Sequence, residues 1–151
     1  MHITFICTGN TCRSPMAEGI ARRIIKESYP DSGVTVSSAG LATYNGSPAS
    51  GHSIDVCREI GIDLTSHRSQ RLNPEIAEKT DLFAVMTDSH RQVLLQCGIP
   101  QNKIAVLGGI SDPYGGDEEE YRACREQILN EVETLLHAVC AGTEPEGEAN
   151  D

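Results

Sequence analysis

The chain has 151 residues, enough to bury one sizeable core without disulfide staples, and 38% apolar with 23% charged residues is the balance of a water-soluble fold. Its net charge of −10 argues against nucleic acid and anionic membrane as partners. No apolar run has the length of a membrane span or a signal-peptide core, so a cytoplasmic monomer is expected, with reduced thiols: the six cysteines are scattered, and no two form a CxxC pair.

In chain order, the first element is a buried strand, Ile3-Thr4-Phe5-Ile6, that ends at Cys7. A polar loop, Thr8-Gly9-Asn10-Thr11-Cys12-Arg13, follows. Ser14-Pro15 then suits a helix N-cap with proline in the first turn. A Cys-x5-Arg loop between a strand and a helix is a phosphate cup: its backbone N–H groups and the positive helix end face an anion, and Arg13 adds a two-pronged donor. Gly9 and Asn10 are expected to take unusual backbone angles, Asn10 the left-handed one. Such a field holds Cys7 as a thiolate, and a thiolate aimed at phosphorus is a nucleophile for phosphoryl transfer. Ser14 is placed either to donate to the Cys7 sulfur or to cap the helix.

Residues 16–26 form an amphipathic helix, with Met16, Ala17, Ile20, Ala21, Ile24 and Ile25 on the apolar face. Residues 30–33 break it, and a second strand covers 34–38. Residues 41–50 read as loop, 51–60 as helix, 62–67 as irregular and 74–79 as a short helix. A third strand at 81–86 leads to a helix capped by Thr87 or Asp88 and ending at Gln96, then to a fourth strand at 103–107. After the Asp112-Pro113-Tyr114-Gly115-Gly116 loop, a long helix starts near Asp117 and carries Tyr121, Cys124, Ile128, Val132, Leu135, Leu136 and Val139 on one face. Its acidic first turn complements the helix dipole. Residues 1–140 thus form one domain, and 141–151 read as an acidic disordered tail.

Strands alternating with helices predict an α/β three-layer sandwich with a parallel sheet covered on both faces. Ligands of such sheets bind beyond the carboxyl ends of the strands, where the Cys7 loop lies. The Asp112 loop falls at the same end if the sheet is parallel. Read from the residues alone, Asp112-Pro113 serves equally as a general acid or as a simple turn. No metal cluster is evident, since His2, His52, His67, His90 and His137 are dispersed.

The run Cys7-Thr8-Gly9-Asn10-Thr11-Cys12-Arg13-Ser14-Pro15-Met16-Ala17-Glu18 closely resembles the low-molecular-weight protein tyrosine phosphatase family, and Thr11 resembles its protein arginine phosphatase branch. The resemblance implies a four-stranded sheet in the order 2-1-3-4, no cofactor and phosphorylated protein substrates. It also implies Asp112 as general acid, Ser38 and His67 as polar support for Asn10, and a reversible Cys7–Cys12 disulfide under oxidants. Tyrosine-specific relatives tend to carry an aliphatic residue where Thr11 stands, and a second aromatic where Gly115 follows Tyr114. Thr11 and Tyr114 are therefore the specificity positions, and phosphoarginine is favoured over phosphotyrosine. A thioredoxin-coupled arsenate reductase shares the cup but needs two shuttle cysteines on a mobile segment, where this chain offers Cys97 alone. A non-catalytic phosphate-binding module would need neither thiolate nor acid.

Overall fold

The computed structural model describes residues 1–141, and the expected tail at 142–151 lies outside them. Ten elements run in the order β1 (His2–Cys7), α1 (Arg13–Ser28), β2 (Thr35–Gly40), α2 (Gly51–Arg58), α3 (Pro74–Lys79), β3 (Leu82–Val85), α4 (Asp88–Gln96), a 3-10 turn (Gln101–Lys103), β4 (Ile104–Val106) and α5 (Glu118–Cys140). All strand pairings are parallel, and the order is β2-β1-β3-β4.

β1 is central, and its side chains alternate between two cores, as a pleated strand requires. Ile3, Phe5 and Cys7 join Met16, Ala17 and Ile20 of α1 and Ile128, Val132 and Leu136 of α5 on one face. Ile6 meets Phe83, Val85, Leu94 and Ile104 on the other, against α3 and α4. This is the expected three-layer sandwich. Because every strand runs the same way, the carboxyl ends of β1, β3 and β4 open onto one edge. Backbone bonds join the loops there: Leu107 N donates to Val85 O at 2.8 Å, and Ile110 N to Met86 O at 2.7 Å.

The helix ends carry local chemistry of the expected kind. Thr87 caps α4, and Asp117 caps α5 in a reciprocal capping box with Glu120. α1 differs from expectation. It begins at Arg13 with Cys12 as N-cap and no side-chain cap, so Ser14 lies inside the first turn rather than capping it. The physical reason is that Ser14 Oγ is already bonded within the cup. Gly9 also differs. Asn10 is the residue of the loop in the left-handed region, at φ 56°, while Gly9 is absent from it, and a Cβ there would meet only Thr11 Oγ1 at 3.6 Å. Strand and helix ends otherwise move by one to three residues.

Candidate active site

The cup is built by turning carbonyls outward. Cys7 O accepts from Leu41 N at 3.1 Å, Thr8 O from Ala42 N at 2.9 Å, and Thr11 O from Ser50 N at 2.8 Å. Asn10 O accepts from His67 Nε2 at 2.8 Å. In a planar trans peptide the N–H points opposite to the C=O. Each of these anchors therefore turns the following amide, that of Thr8, Gly9, Thr11 or Cys12, away from the surrounding wall and toward the loop's interior. The wall itself needs Gly40 at the end of β2, where a Cβ would stand 2.8 Å from Thr8 O and 3.0 Å from Asn10 Cβ.

Asn10 is fully buried, and every polar atom it has is engaged. Its amide donates to Cys7 Sγ at 3.3 Å, and its Nδ2 to Ser14 Oγ at 2.8 Å and Ser38 Oγ at 3.0 Å. Its Oδ1 accepts from Gln70 N at 2.9 Å. These bonds hold a non-glycine residue in an otherwise unfavourable conformation. Ser38 and His67 thus both bond Asn10, one at its side chain and the other at its carbonyl. Glu18 and Gln70 were missed by sequence reasoning: Glu18 Oε1 accepts from Ser38 Oγ at 2.5 Å, and Gln70 Nε2 donates to Ser38 O at 2.9 Å. Glu18 was legible only as part of the loop motif, and Gln70 carried no local signal.

Cys7 is 2% exposed, and its sulfur lies 2.9 Å from Ser14 Oγ. Because Ser14 Oγ accepts from Asn10, its own proton is left for the sulfur. Two donors thus converge on Cys7, the arrangement that stabilises charge on an acceptor.

Arg13 is buried, and Nη1 donates to Ile110 O at 2.9 Å. That bond fixes the plane of the guanidinium and leaves the Nε–Nη2 edge. Nε is the one buried side-chain nitrogen or oxygen without a hydrogen-bond partner among the described residues, and Nη2 stands 3.7 Å from Asp112 Oδ2. An edge of two parallel N–H groups matches two oxygens of a phosphoryl group. Asp112 is half exposed, and its Oδ1 accepts from Tyr114 N at 3.1 Å. Tyr114 is 79% exposed. The next acids along the chain are engaged elsewhere, Asp117 in the α5 cap and Glu118 with Arg122.

Thr11 Oγ1 contacts only Cys12 Sγ, at 3.9 Å, so its hydroxyl is not consumed by the fold. Cys12 Sγ lies 3.3 Å from Tyr121 Oη, and both Cys7 and Cys12 are free thiols. His90 is 6% exposed and lies against the loop, with Nε2 3.0 Å from Thr8 Oγ1. Sequence reading had left it among the dispersed histidines. Burial, assisted by the Arg13 charge, pushes its pKa down to about 4. At the surface His52, Asp55 and Glu118 bring ligand-type atoms within 4.8 Å of one another, but Arg58 and Arg122 already face the two carboxylates.

A thiol under two donors, a guanidinium edge, inward amides and a half-exposed carboxylate define a cysteine-dependent phosphatase site. The family profile described as low molecular weight phosphotyrosine protein phosphatase matches residues 2–144, and the chain belongs to that family. A protein-arginine-phosphatase of Geobacillus stearothermophilus is 38% identical, over 89% of this chain and 90% of its own. Arsenate reductase 1 of Staphylococcus epidermidis is 35% identical, over 91% of this chain and 96% of its own. The arginine phosphatase YwlE, solved as a cysteine-to-serine mutant with a phosphorylated active-site serine, superposes with a TM-score of 0.81. It is 33% identical, covering 87% of this chain and 91% of its own.

Proposed function

We propose that this chain hydrolyses phosphoarginine in proteins through a phosphocysteine on Cys7. In the first step Cys7 Sγ attacks phosphorus, the S–P bond forms, and the P–N bond breaks. Asp112 gives its proton to the departing guanidine nitrogen. In the second step water attacks phosphorus, Asp112 takes its proton, and the S–P bond breaks to return the thiolate and release phosphate. Through both steps the loop amides and the Nε–Nη2 edge of Arg13 hold the equatorial oxygens, where charge is spread. Thr8, Gly9, Asn10, Thr11 and Cys12 form the cradle. No step in this scheme calls on a metal.

The observation that carries the substrate assignment is the Thr11 hydroxyl, which borders the cup without a strong partner of its own. A hydroxyl at that position bonds a guanidinium N–H or the attacking water, whereas an aliphatic side chain would favour a flat phenyl ring. The likeness to the Geobacillus enzyme supports the same reading. A redox role as in the arsenate reductases finds less support. Cys57 and Cys124 are buried, and burial pushes both thiols up to about 12, which leaves the exposed Cys97 and the half-buried Cys140 outside the cup.

The test compares phosphoarginine and phosphotyrosine peptides of one sequence, with the wild type and Thr11→Ile. The wild type should favour phosphoarginine at least about tenfold in kcat/KM, and Thr11→Ile should move the ratio toward phosphotyrosine by about tenfold. A wild-type preference for phosphotyrosine would overturn the assignment, and an unchanged ratio in the variant would remove Thr11 as selector.

A further inference from the structure

The elements that end at the sheet's carboxyl edge bring α4 against the cup, where the His90 side chain bonds Thr8. His90 lies in the first turn of α4, three residues after its cap, Thr87. Its ring is held at both nitrogens, Nε2 at 3.0 Å from Thr8 Oγ1 and Nδ1 at 3.2 Å from Thr87 Oγ1. A neutral imidazole has one donor and one acceptor, and a hydroxyl serves as either, so both contacts are satisfied without a net charge. A lysine or arginine here would add a cation beside Arg13 and compete with it for Asp112 and for phosphate.

Thr8 is the residue that follows the nucleophile. Its carbonyl is tied to Ala42 N at 2.9 Å, which aims the Gly9 amide inward. Thr8 is otherwise an exposed residue. The loop therefore depends on two clamps at Thr8: one on the backbone from the β2 side, and one on the side chain from the α4 side.

We propose that His90 is a positioning residue of the phosphatase reaction: wedged between Thr8 and Thr87, it fixes Thr8 so that the adjoining loop amide stays aimed at the phosphoryl oxygens. The inference rests on the phosphocysteine reading given above and adds to it a residue from outside the loop. It assigns His90 no proton transfer and no contact with substrate. An amide held in register before the phosphoryl group arrives needs no reorganisation during the transfer, which is how a side chain remote from phosphorus influences the rate.

The experiment is a double-mutant cycle on Thr8→Val and His90→Ala, read with an aryl phosphate and with orthovanadate, an analogue of the pentavalent transition state. Cys7→Ser is measured first, and hydrolysis that survives it overturns the phosphocysteine reading together with this inference. With that reading intact, each single variant should lower kcat/KM by about tenfold and weaken vanadate by a similar factor. The double variant should be no more than about twofold worse than either single one, because both remove the same contact. His90→Gln, which keeps a donor and an acceptor, should recover part of the loss. Full additivity in the cycle, or single variants within about twofold of the wild type, would overturn the role of His90 while leaving the Cys7 mechanism standing. Should His90→Ala fail to fold, the exposed Thr8→Val alone decides, and a change below about twofold counts against the inference.

Discussion

Ser14 Oγ stands 2.9 Å from Cys7 Sγ and accepts from Asn10 Nδ2 at 2.8 Å, so its hydroxyl proton is directed at the sulfur. That proton matters most when sulfur departs from phosphorus. Ser14→Ala should therefore slow breakdown of the phosphocysteine more than its formation. Rapid-mixing assays with an aryl phosphate should show a burst of phenolate followed by a steady rate about tenfold below wild type. Loss of rate without a burst would place the role of Ser14 in the first step instead.

Asn10 separates backbone strain from hydrogen bonding. At φ 56° an ordinary residue costs about 1–2 kcal/mol. Asn10→Gly removes that strain but also the three bonds of the side chain, while Asn10→Ala removes the bonds and keeps the strain. Both should lose kcat/KM by about a hundredfold, since the loop's register is gone in each. In thermal melts the glycine variant should be the more stable of the two, and equal melting temperatures would show that the left-handed backbone carries no measurable strain.

The pH dependence of stability follows from His90. Its pKa in the fold, about 4, lies below the 6.5 of an exposed histidine, chiefly through burial and then through Arg13. Between these values the unfolded chain binds the proton and the folded one does not. Stability contributed here is full above pH 6.5 and is lost as pH falls toward 4, by about 3 kcal/mol at most. His2, also lowered chiefly by burial, acts in the same direction. The carboxylate of Glu59, lowered to about 2 by hydrogen bonds from Arg122 and then Arg125, adds its loss only at lower pH. Melts at pH 7.5 and 4.5 should differ by roughly 10 °C in the wild type. In His90→Gln the gap should narrow, and an unchanged gap would assign it to other groups.

The buried thiols give a chemical test of the redox alternative. Cys57 and Cys124, both pushed up to about 12 by burial, should stay unmodified by iodoacetamide at pH 8 in the native protein and react once denaturant is added. The exposed Cys97 should react in both conditions. Peptide mass spectrometry that found Cys57 or Cys124 alkylated in the native state would show them reachable by shuttle chemistry.

Much of the site was legible because its signals are local. The apolar run of β1, the glycine-bearing loop and the proline in the first turn of α1 lie within thirteen residues, so periodicity and loop chemistry alone located the cup and named Cys7 and Arg13. Asp112 was harder. Its sequence says only that a turn follows the fourth strand, and the parallel sheet is what brings its Oδ2 to 3.7 Å from Arg13 Nη2. Ser14 had two readings, donor to the Cys7 sulfur or helix cap, and serine before proline left both open. Its bonds from Asn10 and to Cys7 chose the first.

From sequence alone came the class of fold, the candidate cysteine and the loop that surrounds it, since hydrophobic period and adjacent residues encode those directly. Only the tertiary structure decided which distant groups hold the loop: Glu18 and Gln70 through Ser38, Gly40 by the absence of a side chain, and His90 through Thr8. These residues act across 20 to 82 positions of chain, and no local pattern records a hydrogen bond made when separate strands and helices pack against one edge of a sheet.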